Sequence, residues 1–505
     1  ALMGLHRPEE ALASYERALS LEPNYADAHY NRGNALRDLH RLEEALVSYD
    51  RALSLKSGYD FLFGVRLHVQ AQVCDWNGLS TGIRRLETRI QDGDKISTPF
   101  PVLALLDRPD VQLKAARTWS ETKYPASTAL GAIPRRSPSG MIRIGYYSAD
   151  FYDHATSHLI AELLEVHDRK VFEVYGFSFG QSKNDTLRQR VTAAFDRFFD
   201  VNDQSDREVA ILSRELGIDI AVDLKGFTKD NRCGIFAERC APIQVNYLGY
   251  PGTMAAPYID YIIADKVVLP EERQVDYTEK VVYLPHSYQV NDSKRAISER
   301  MFTRTEVGLP PHGFVFCCFN NSYKILPDTF DGWMRILQAV EGSVLWLLED
   351  NSTAAQNLRR QAQERGVHPE RLVFAQRMKS DEHLARHRLA DLFIDTVPYN
   401  AHTTASDALW AGLPVLTLAG QAFAARVAAS LLHALDLPEL ITHTQVQYET
   451  KAIELATQPQ ALQALRAKLQ RNRQASPLFD GCLYARHLEA AYRAMYDRLQ
   501  SGLPP

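Results

Sequence analysis

The sequence predicts an α/β protein with two doubly wound domains, preceded by a segment that is built only from helices. Two observations indicate this fold class. A 34-residue pattern repeats near the start of the chain, and beyond a polar break at 134–140 short apolar runs alternate with helical patterns. Two successive series of this kind imply two parallel sheets with a cleft between them. The predicted boundaries are 1–62 for the repeats, 63–140 for a helical connector, 141–300 and 301–475 for the two Rossmann-like domains, and 476–505 for a C-terminal helix.

The N-terminal pattern has the length of a tetratricopeptide repeat. Residues 9–21 (EEALASYERALSL) recur 34 positions later as residues 43–55 (EEALVSYDRALSL). Residues 1–2 match 35–36 at the same offset, so we expect the chain to start inside a repeat. Fewer than three complete repeats are marginal alone. These units are therefore expected to stack on the helices that follow, or on further repeats.

Nine apolar runs are the predicted strands. Helical patterns such as 185–198 and 206–216 separate them, which is typical of βαβ units and mostly parallel sheets. The last amphipathic stretch, 484–499, predicts a single helix. The predicted strands are 142–148, 172–179, 218–224 and 258–264 in the first series, and 314–319, 344–348, 372–374, 392–394 and 415–418 in the second.

Composition excludes several classes of function. The 505 residues carry a net charge of −5, which gives no reason to expect nucleic acid or a membrane surface as a partner. No apolar run approaches the roughly 20 residues of a membrane span, and no signal peptide is apparent. None of the six cysteines forms a C-x-x-C pair. A reducing cytoplasmic compartment is therefore expected.

Residues 395–414 are the most informative stretch of the chain. A buried strand ends in a polar loop, and the loop opens a short helix whose first turn carries His402, Thr403 and Thr404. Unpaired backbone N–H groups and a positive partial charge make a helix start a natural seat for phosphate. Asp407, one turn further, would repel phosphate but could accept hydrogen bonds from ribose hydroxyls. Thr404 and Asp407 could equally form a plain capping motif.

Three further segments place polar groups at predicted strand ends. Lys324, in 319–324, can reach the cleft and neutralise a leaving diphosphate, or it is an exposed loop lysine. Residues 148–158 hold Asp150, His154 and Thr156, which could form a catalytic or sugar-binding loop, bind a metal, or cap the next helix. The two glycines of 248–253 allow close approach of backbone to a ligand, or simply shape a turn.

These segments resemble the O-linked N-acetylglucosamine transferases of glycosyltransferase family 41, and the short chain resembles the bacterial members. The resemblance is carried by 148–158, 241–253, 319–324 and 400–414 with 426–430, which follow one another in the family's order behind 34-residue repeats. It implies a GT-B fold and a UDP-N-acetylglucosamine (UDP-GlcNAc) donor. It also implies an inverting, metal-independent transfer, without a cofactor, to serine and threonine hydroxyls of proteins or peptides that the repeats guide.

The same resemblance implies a role for each matching residue. Lys324 would bind the β-phosphate, and the general base stays open between His154, Asp150 acting through water, and the donor's own phosphate. The remaining implied contacts are His402, Thr403 and Thr404 to the phosphates, Asp407 to the ribose, His383 to the uracil with Arg386 close by, Asn321 on the donor side, His154 and Asp150 at the sugar and the attacking hydroxyl, and Thr156, Gly249, Tyr250, Pro251 and Gly252 on the sugar side.

The sequence also departs from the family and from other nucleotide-binding classes. Asn321 stands where animal members have glutamine, and Ala155 where they have proline. The family's ribose-side lysine is shifted by one residue near Lys379. The one Asp-x-Asp triplet, 92–94, lies in the connector, so a lysine and a helix start would have to meet the phosphate charge. No Walker or G-x-G-x-x-G motif is present, which argues against ATPases and dehydrogenases.

Two alternative functions stay open at this stage. The same fold could use another UDP-hexose such as UDP-glucose, because uridine and phosphate contacts would look the same. The chain could also be a catalytically weak repeat scaffold that only binds UDP. Donor hydrolysis and UDP titration separate these alternatives.

Overall fold

The computed structural model describes residues 7–134, 140–181 and 183–505. The predicted fold class is confirmed: a helical segment precedes two domains, each built on a parallel sheet. The predicted repeat start at residues 1–2 and most of the predicted break at 134–140 lie outside the described residues. No helix in the described parts of the chain is both long enough and apolar enough to cross a membrane.

The described part of the N-terminal segment, residues 7–134, contains seven helices. Buried alanines let α1 to α3 pack closely around Tyr49, whose hydroxyl donates to Asn34 Oδ1 at 2.9 Å. Gly33 leaves room for this ring, because a β-carbon there would lie 2.4 Å from it. The helices are α1 (Pro8–Leu21), α2 (Ala26–Asp38), α3 (Leu42–Leu55), α4 (Leu62–Gln72), α5 (Leu79–Gln91), α6 (Pro99–Leu105) and α7 (Pro109–Lys123).

The first sheet has seven parallel strands in the order β3-β2-β1-β4-β5-β6-β7. Side chains of β1 alternate between two cores, with Ile144 and Tyr146 on one face and Tyr147 on the other, as the period of a strand dictates. The strands are β1 (Ile142–Ser148), β2 (Phe172–Ser178), β3 (Arg197–Asp200), β4 (Ile220–Asp223), β5 (Ile243–Asn246), β6 (Tyr261–Ala264) and β7 (Lys280–Tyr283), and the helices are α8 (Ala155–Val166), α9 (Thr186–Ala193), α10 (Asp206–Glu215) and α11 (Cys233–Ala237).

The second sheet has six parallel strands in the order β10-β9-β8-β11-β12-β13. Its core contains the fully buried Trp333 and Trp346. The strands are β8 (Val315–Cys318), β9 (Val344–Leu348), β10 (Leu372–Ala375), β11 (Leu392–Ile394), β12 (Val415–Leu418) and β13 (Ile441–Thr442), and the helices are α12 (Pro327–Ala339), α13 (Ser352–Glu364), α14 (Ser380–Arg386), α15 (Thr403–Trp410), α16 (Val427–Ala434), α17 (Gln445–Thr457) and α18 (Pro459–Ala475).

The structure corrects several predicted elements. The predicted helix 185–198 is wrong at its end, because α9 stops at Ala193 and Arg197–Asp200 forms the edge strand β3. This strand is only four residues long, and charged residues flank its two phenylalanines, so its sequence shows no apolar run. Strands β5, β7 and β13 were not predicted at all. They are two to four residues long, and tertiary pairing rather than local pattern defines them.

The last helix, α19 (Gly481–Gln500), packs on the first domain rather than on the second, which precedes it in the chain. The Tyr484 and Tyr247 hydroxyls lie 2.6 Å apart, and His167 Nδ1 lies 2.9 Å from Glu489 Oε1. The segment after β7 lies against α15, where Gln289 Nε2 donates to Ser406 Oγ at 2.8 Å. The chain therefore passes twice between the two domains.

Candidate functional site

The topology places two switch points at the carboxyl edges of the sheets. In the first sheet the strand order reverses between β1 and β4, and in the second sheet it reverses between β8 and β11. Ligands of doubly wound sheets bind at the carboxyl ends of such strand pairs. The loops at these four strand ends contain most of the sequence-predicted site residues.

Lys324 lies in a short turn after β8 and is almost completely buried. Its ammonium donates to the Asn400 carbonyl at 2.8 Å and lies 4.1 Å from the centre of the Tyr399 ring. Burial lowers the pKa of Lys324, and the nearby Asp395 carboxylate partly opposes this effect. The structure thus places Lys324 beside the loop that opens α15, not on an exposed loop.

A hydrogen-bond network joins the end of β8 to the end of β11. The Asp395 carboxylate accepts from the N–H groups of Thr396 and Ala401 at 2.7 and 2.6 Å. Burial raises the pKa of Asp395, although these hydrogen bonds oppose the shift. Asn320 donates to Thr396 Oγ1 at 2.8 Å and accepts from the Thr404 hydroxyl. This network fixes the loop that carries His402 to Thr404 relative to the Lys324 turn.

The start of α15 has no side-chain cap among the described residues, so the capping alternative for Thr404 and Asp407 is not what forms here. The His402 ring stacks on Tyr399 at 4.7 Å, and its Nε2 lies 3.1 Å from the Ala424 carbonyl oxygen. Burial, together with the charge of Lys324, lowers the pKa of His402. His402 is therefore neutral, and the positive charge beside the helix start is that of Lys324.

The predicted base and ribose contacts lie on α14 and α15. Asp407 is buried and forms an ion pair with Arg295 of the segment between the sheets. His383 packs against Phe319 with ring centroids 5.3 Å apart. Arg386 is buried against Phe319, and its guanidinium donates to the Gln376 carbonyl at 2.6 Å. This contact holds the backbone at Gln376 beside the predicted uracil site. Asn321 is exposed at the start of the Lys324 turn.

On the first sheet, Asp150 and His154 lie beyond β1 with a lysine that sequence reasoning missed. The buried Lys225, just past β4, donates to Asp150 Oδ2 at 2.7 Å, and His154 Nδ1 lies 3.5 Å from the same oxygen. His154 Nδ1 also accepts from the Thr156 N–H at 3.2 Å. Partial burial lowers the pKa of His154, against the pull of Asp150. A neutral ring that accepts at Nδ1 carries its proton on Nε2.

The turn formed by Gly249, Tyr250, Pro251 and Gly252 packs on the Lys225 loop. A β-carbon on Gly249 would lie 1.9 Å from the Leu224 carbonyl oxygen, so only glycine permits this approach. Gly226 has a φ of +49° and faces Tyr250 at similarly short range. The turn is thereby fixed next to the Asp150–Lys225 pair.

Aromatic residues join the two halves of the site. Tyr250 of the first domain belongs to the same buried cluster as Tyr323 and Tyr399 of the second. Phe100 of the connector contacts both second-domain rings, with centroids 6.0 and 6.1 Å away. The sugar-side turn and the Lys324 turn therefore meet at one cleft.

Four residues of this cleft had no role in the sequence analysis: Asn320, Asp395, Lys225 and Arg295. Asp395 and Lys225 follow β11 and β4 within two residues, so their position at a strand end was a usable signal. Asn320 precedes the Lys324 turn directly. Arg295 lies in a segment without periodic pattern, and nothing local indicates its role.

Two Rossmann-like domains, each with polar residues gathered at the switch point of its parallel sheet, are the architecture of the GT-B fold. The chain belongs to glycosyl transferase family 41, whose family model matches residues 132–302 and 296–488. Tetratricopeptide repeat models match residues 7–39 and 26–59. The recognition of the family from its sequence segments is thus confirmed.

Named relatives share most of this chain. A probable UDP-N-acetylglucosamine–peptide N-acetylglucosaminyltransferase, SEC, of Arabidopsis thaliana is 35% identical over 87% of the chain and 47% of its own length. The UDP-N-acetylglucosamine–peptide N-acetylglucosaminyltransferase of Caenorhabditis elegans is 29% identical over 86% of the chain and 48% of its own length. The chain thus spans about half the length of these curated relatives.

A solved structure matches almost the whole chain. A mutant O-GlcNAc transferase of Thermobaculum terrenum is similar with a TM-score of 0.82 and 28% sequence identity, and the match covers 99% of this chain and 96% of that one.

Proposed function

We propose that this chain transfers N-acetylglucosamine from UDP-GlcNAc to serine or threonine hydroxyls of proteins, with inversion and without a metal ion. The activities for which the Arabidopsis and Caenorhabditis relatives are named support the donor and the peptide acceptor. The observation that carries the proposal is the buried ammonium of Lys324 beside the uncapped start of α15. One fixed cation and several backbone N–H groups can neutralise a leaving diphosphate.

The acceptor proton goes, in this proposal, to the donor's own phosphate. The Asp150 Oδ2 oxygen is already engaged at 2.7 Å by the buried Lys225 ammonium, so it is not free to face the acceptor hydroxyl. His154 accepts the Thr156 N–H at Nδ1, so its Nε2 carries a proton and can donate a hydrogen bond, but cannot accept one. We assign His154 to hydrogen bonding at the sugar or the acceptor hydroxyl, and Asp150 and Lys225 to holding that loop.

The main test is Lys324→Met, which keeps the length of the side chain and removes its charge. We expect kcat with UDP-GlcNAc and an acceptor peptide to fall by about a hundredfold or more, because the leaving diphosphate loses its buried counter-charge. Lys468→Met is the control and should leave kcat unchanged, because Lys468 lies on α18 and forms an ion pair with Glu439 at 2.7 Å. Wild-type turnover by Lys324→Met would contradict the proposed site.

Further arms of this experiment test the other parts of the proposal. Full activity in excess EDTA is expected, and a loss that manganese restores would overturn metal independence. Nuclear magnetic resonance of the product distinguishes a β-linked sugar, which means inversion, from an α-linked one. A donor panel with UDP-glucose tests the sugar, and UDP binding without turnover of any donor would favour a scaffold.

The proposed compartment is a reducing cytoplasm. All six cysteines are free thiols, and five of them are buried, as expected for a protein that does not depend on disulfides. The described repeats lie on the connector that borders the cleft, and we propose that they guide protein acceptors to it. Neither nucleic acid nor a membrane is a partner in this proposal.

A further inference from the structure

Arg295 is buried between the two helices that border the predicted ribose site. One Nη group forms the ion pair with Asp407 on α15, and the other donates to Ser380 Oγ, at the start of α14, at 3.3 Å. The Arg295 side chain is 9% exposed and that of Asp407 10%. Arg295 comes from the segment between the sheets, 112 positions before Asp407. The pair therefore exists only through the tertiary fold.

The guanidinium has hydrogen-bonding capacity left. It offers five N–H donors in a fixed fork, and the contacts to Asp407 and Ser380 use two of them. Its Nε is buried and has no hydrogen-bond partner among the described residues. A buried donor without a partner is costly. At a ligand site, such a donor indicates that the ligand supplies the missing hydrogen-bond acceptor.

His383, the predicted base contact, follows Ser380 by three residues on α14, so the two side chains lie on one face of that helix. The charge of Arg295 contributes to lowering the pKa of His383, after burial and the neighbouring His387 and Arg386. Arg295 thus lies among His383, Asp407 and Ser380, where the sugar of a nucleotide would sit between base and phosphate.

We propose that Arg295 determines specificity for the ribose of the nucleotide, acting as a pair with Asp407. This inference rests on the proposed function, since it assumes that the nucleotide binds here. A ribose hydroxyl would donate a hydrogen bond to the Asp407 carboxylate and accept one from an N–H group of Arg295. A deoxyribose would leave both buried groups without that partner, so the pair selects ribonucleotides.

A purely structural role makes a different prediction. The backbone of Arg295 is already held by Trp410, whose Nε1 donates to the Arg295 carbonyl at 3.1 Å. If the side chain only joined α14 to α15, its loss would weaken all nucleotides equally. The selectivity between ribose and deoxyribose would then stay unchanged.

The experiment is calorimetric titration of UDP, 2′-deoxy-UDP and 3′-deoxy-UDP into the whole chain. For wild type we expect UDP to bind about tenfold or more tighter than the weaker of the two deoxy analogues. Arg295→Lys, which keeps the charge and loses the fork, should bind UDP about tenfold more weakly, and the selectivity should fall by a similar factor. Arg300→Lys is the matched control, because Arg300 lies in the same segment and bonds Glu382 on α14 at 3.1 Å, yet its side chain is 52% exposed.

The outcomes separate this inference from the proposed function. Wild type that binds UDP without discriminating against either deoxy analogue overturns the role of Arg295 and leaves the proposed function standing. Unchanged selectivity in a folded Arg295→Lys or Arg295→Gln variant also overturns it. Wild type that binds no UDP at all contradicts the proposed function itself. A loss of selectivity in Arg295→Lys but not in Arg300→Lys supports the inference.

Discussion

Two buried lysines lie at the two switch points, and their partners decide what each can do. Lys225 donates to the Asp150 carboxylate at 2.7 Å, so an opposite charge in direct contact cancels its own. Lys324 donates to a backbone carbonyl and lies over an aromatic ring, both of which are neutral. Of the two, Lys324 therefore has positive charge available for a phosphate, while Lys225 holds a loop in place.

Asp223, at the end of β4, is a buried carboxylate at this edge of the sheet. Its Oδ1 accepts from the N–H groups of Lys225 and Gly226 at 2.8 and 3.0 Å, while its buried Oδ2 has no partner among the described residues. Burial raises the pKa of Asp223 to about 6, above the value of about 3.9 in an unfolded chain. Between these two values the folded protein keeps a proton that the unfolded chain has released, so wild type loses stability as pH rises through this window.

We therefore predict that Asp223→Asn stabilises the protein at pH 7 to 8, by about 1–3 kcal/mol relative to wild type. An amide oxygen can accept the same two N–H bonds and carries no charge to bury. The difference in free energy of unfolding should grow from pH 4 to pH 6 and stay constant above. Urea unfolding at several pH values measures it, and a difference that is independent of pH would contradict the assigned pKa.

At the scale of elements, the connector holds the turn that carries Lys324. The carbonyl of Gln72, the last residue of α4, accepts from Ser322 Oγ at 2.6 Å and from Asn351 Nδ2 at 2.9 Å. The next carbonyl, of Val73, accepts from Asn357 Nδ2 at 2.7 Å. The last carbonyls of a helix lack partners within it, and here residues of the second domain supply them.

Ser322→Ala tests whether this contact positions the donor site. Ser322 starts the Lys324 turn, so the loss of its hydrogen bond should raise the KM for UDP-GlcNAc several-fold and lower stability by about 1–2 kcal/mol. Asn357→Ala is the matched variant, because it breaks the same interface on α13 and leaves the turn alone. It should lower stability to a similar extent with an unchanged KM. Equal KM values in both variants would show that the connector does not position Lys324.

The sequence predicted those elements whose signal is local. The strand at Ile142–Ser148 is rich in β-branched and aromatic residues, and the helix at Thr403–Trp410 is bounded by a polar loop and by Gly412. The edge strand β3 has no such signal, and the predicted helix 185–198 overlaps its first two residues. The partners of Lys225 and Arg295 lie 75 and 112 positions away. No local pattern reports contacts of that kind, because chain topology alone creates them.

At the scale of the whole molecule, the helical segment divides into two parts with different cores. Helices α1 to α3 share a small cluster around Leu36 and Tyr49 with the start of the connector. Helices α6 and α7 belong instead to a large cluster that includes the first sheet and the Tyr323 and Tyr399 rings of the donor side. The free energy of local opening follows the apolar area that an element buries with its neighbours, so these two parts should differ in stability.

Hydrogen exchange of the whole chain measures this difference. We expect the amides of α1 to α3 to exchange at least about tenfold faster than those of α6 and α7, because opening the first three helices exposes only the small cluster.

Saturating UDP should slow exchange at 322–324 and at the start of α15, and also in α4, whose last carbonyl the Lys324 turn binds. It should leave α1 to α3 unchanged. Repeats protected as strongly as β8 would mean that they open only when the catalytic domains unfold, and slower exchange in α1 to α3 on UDP binding would mean that the donor site is coupled to them.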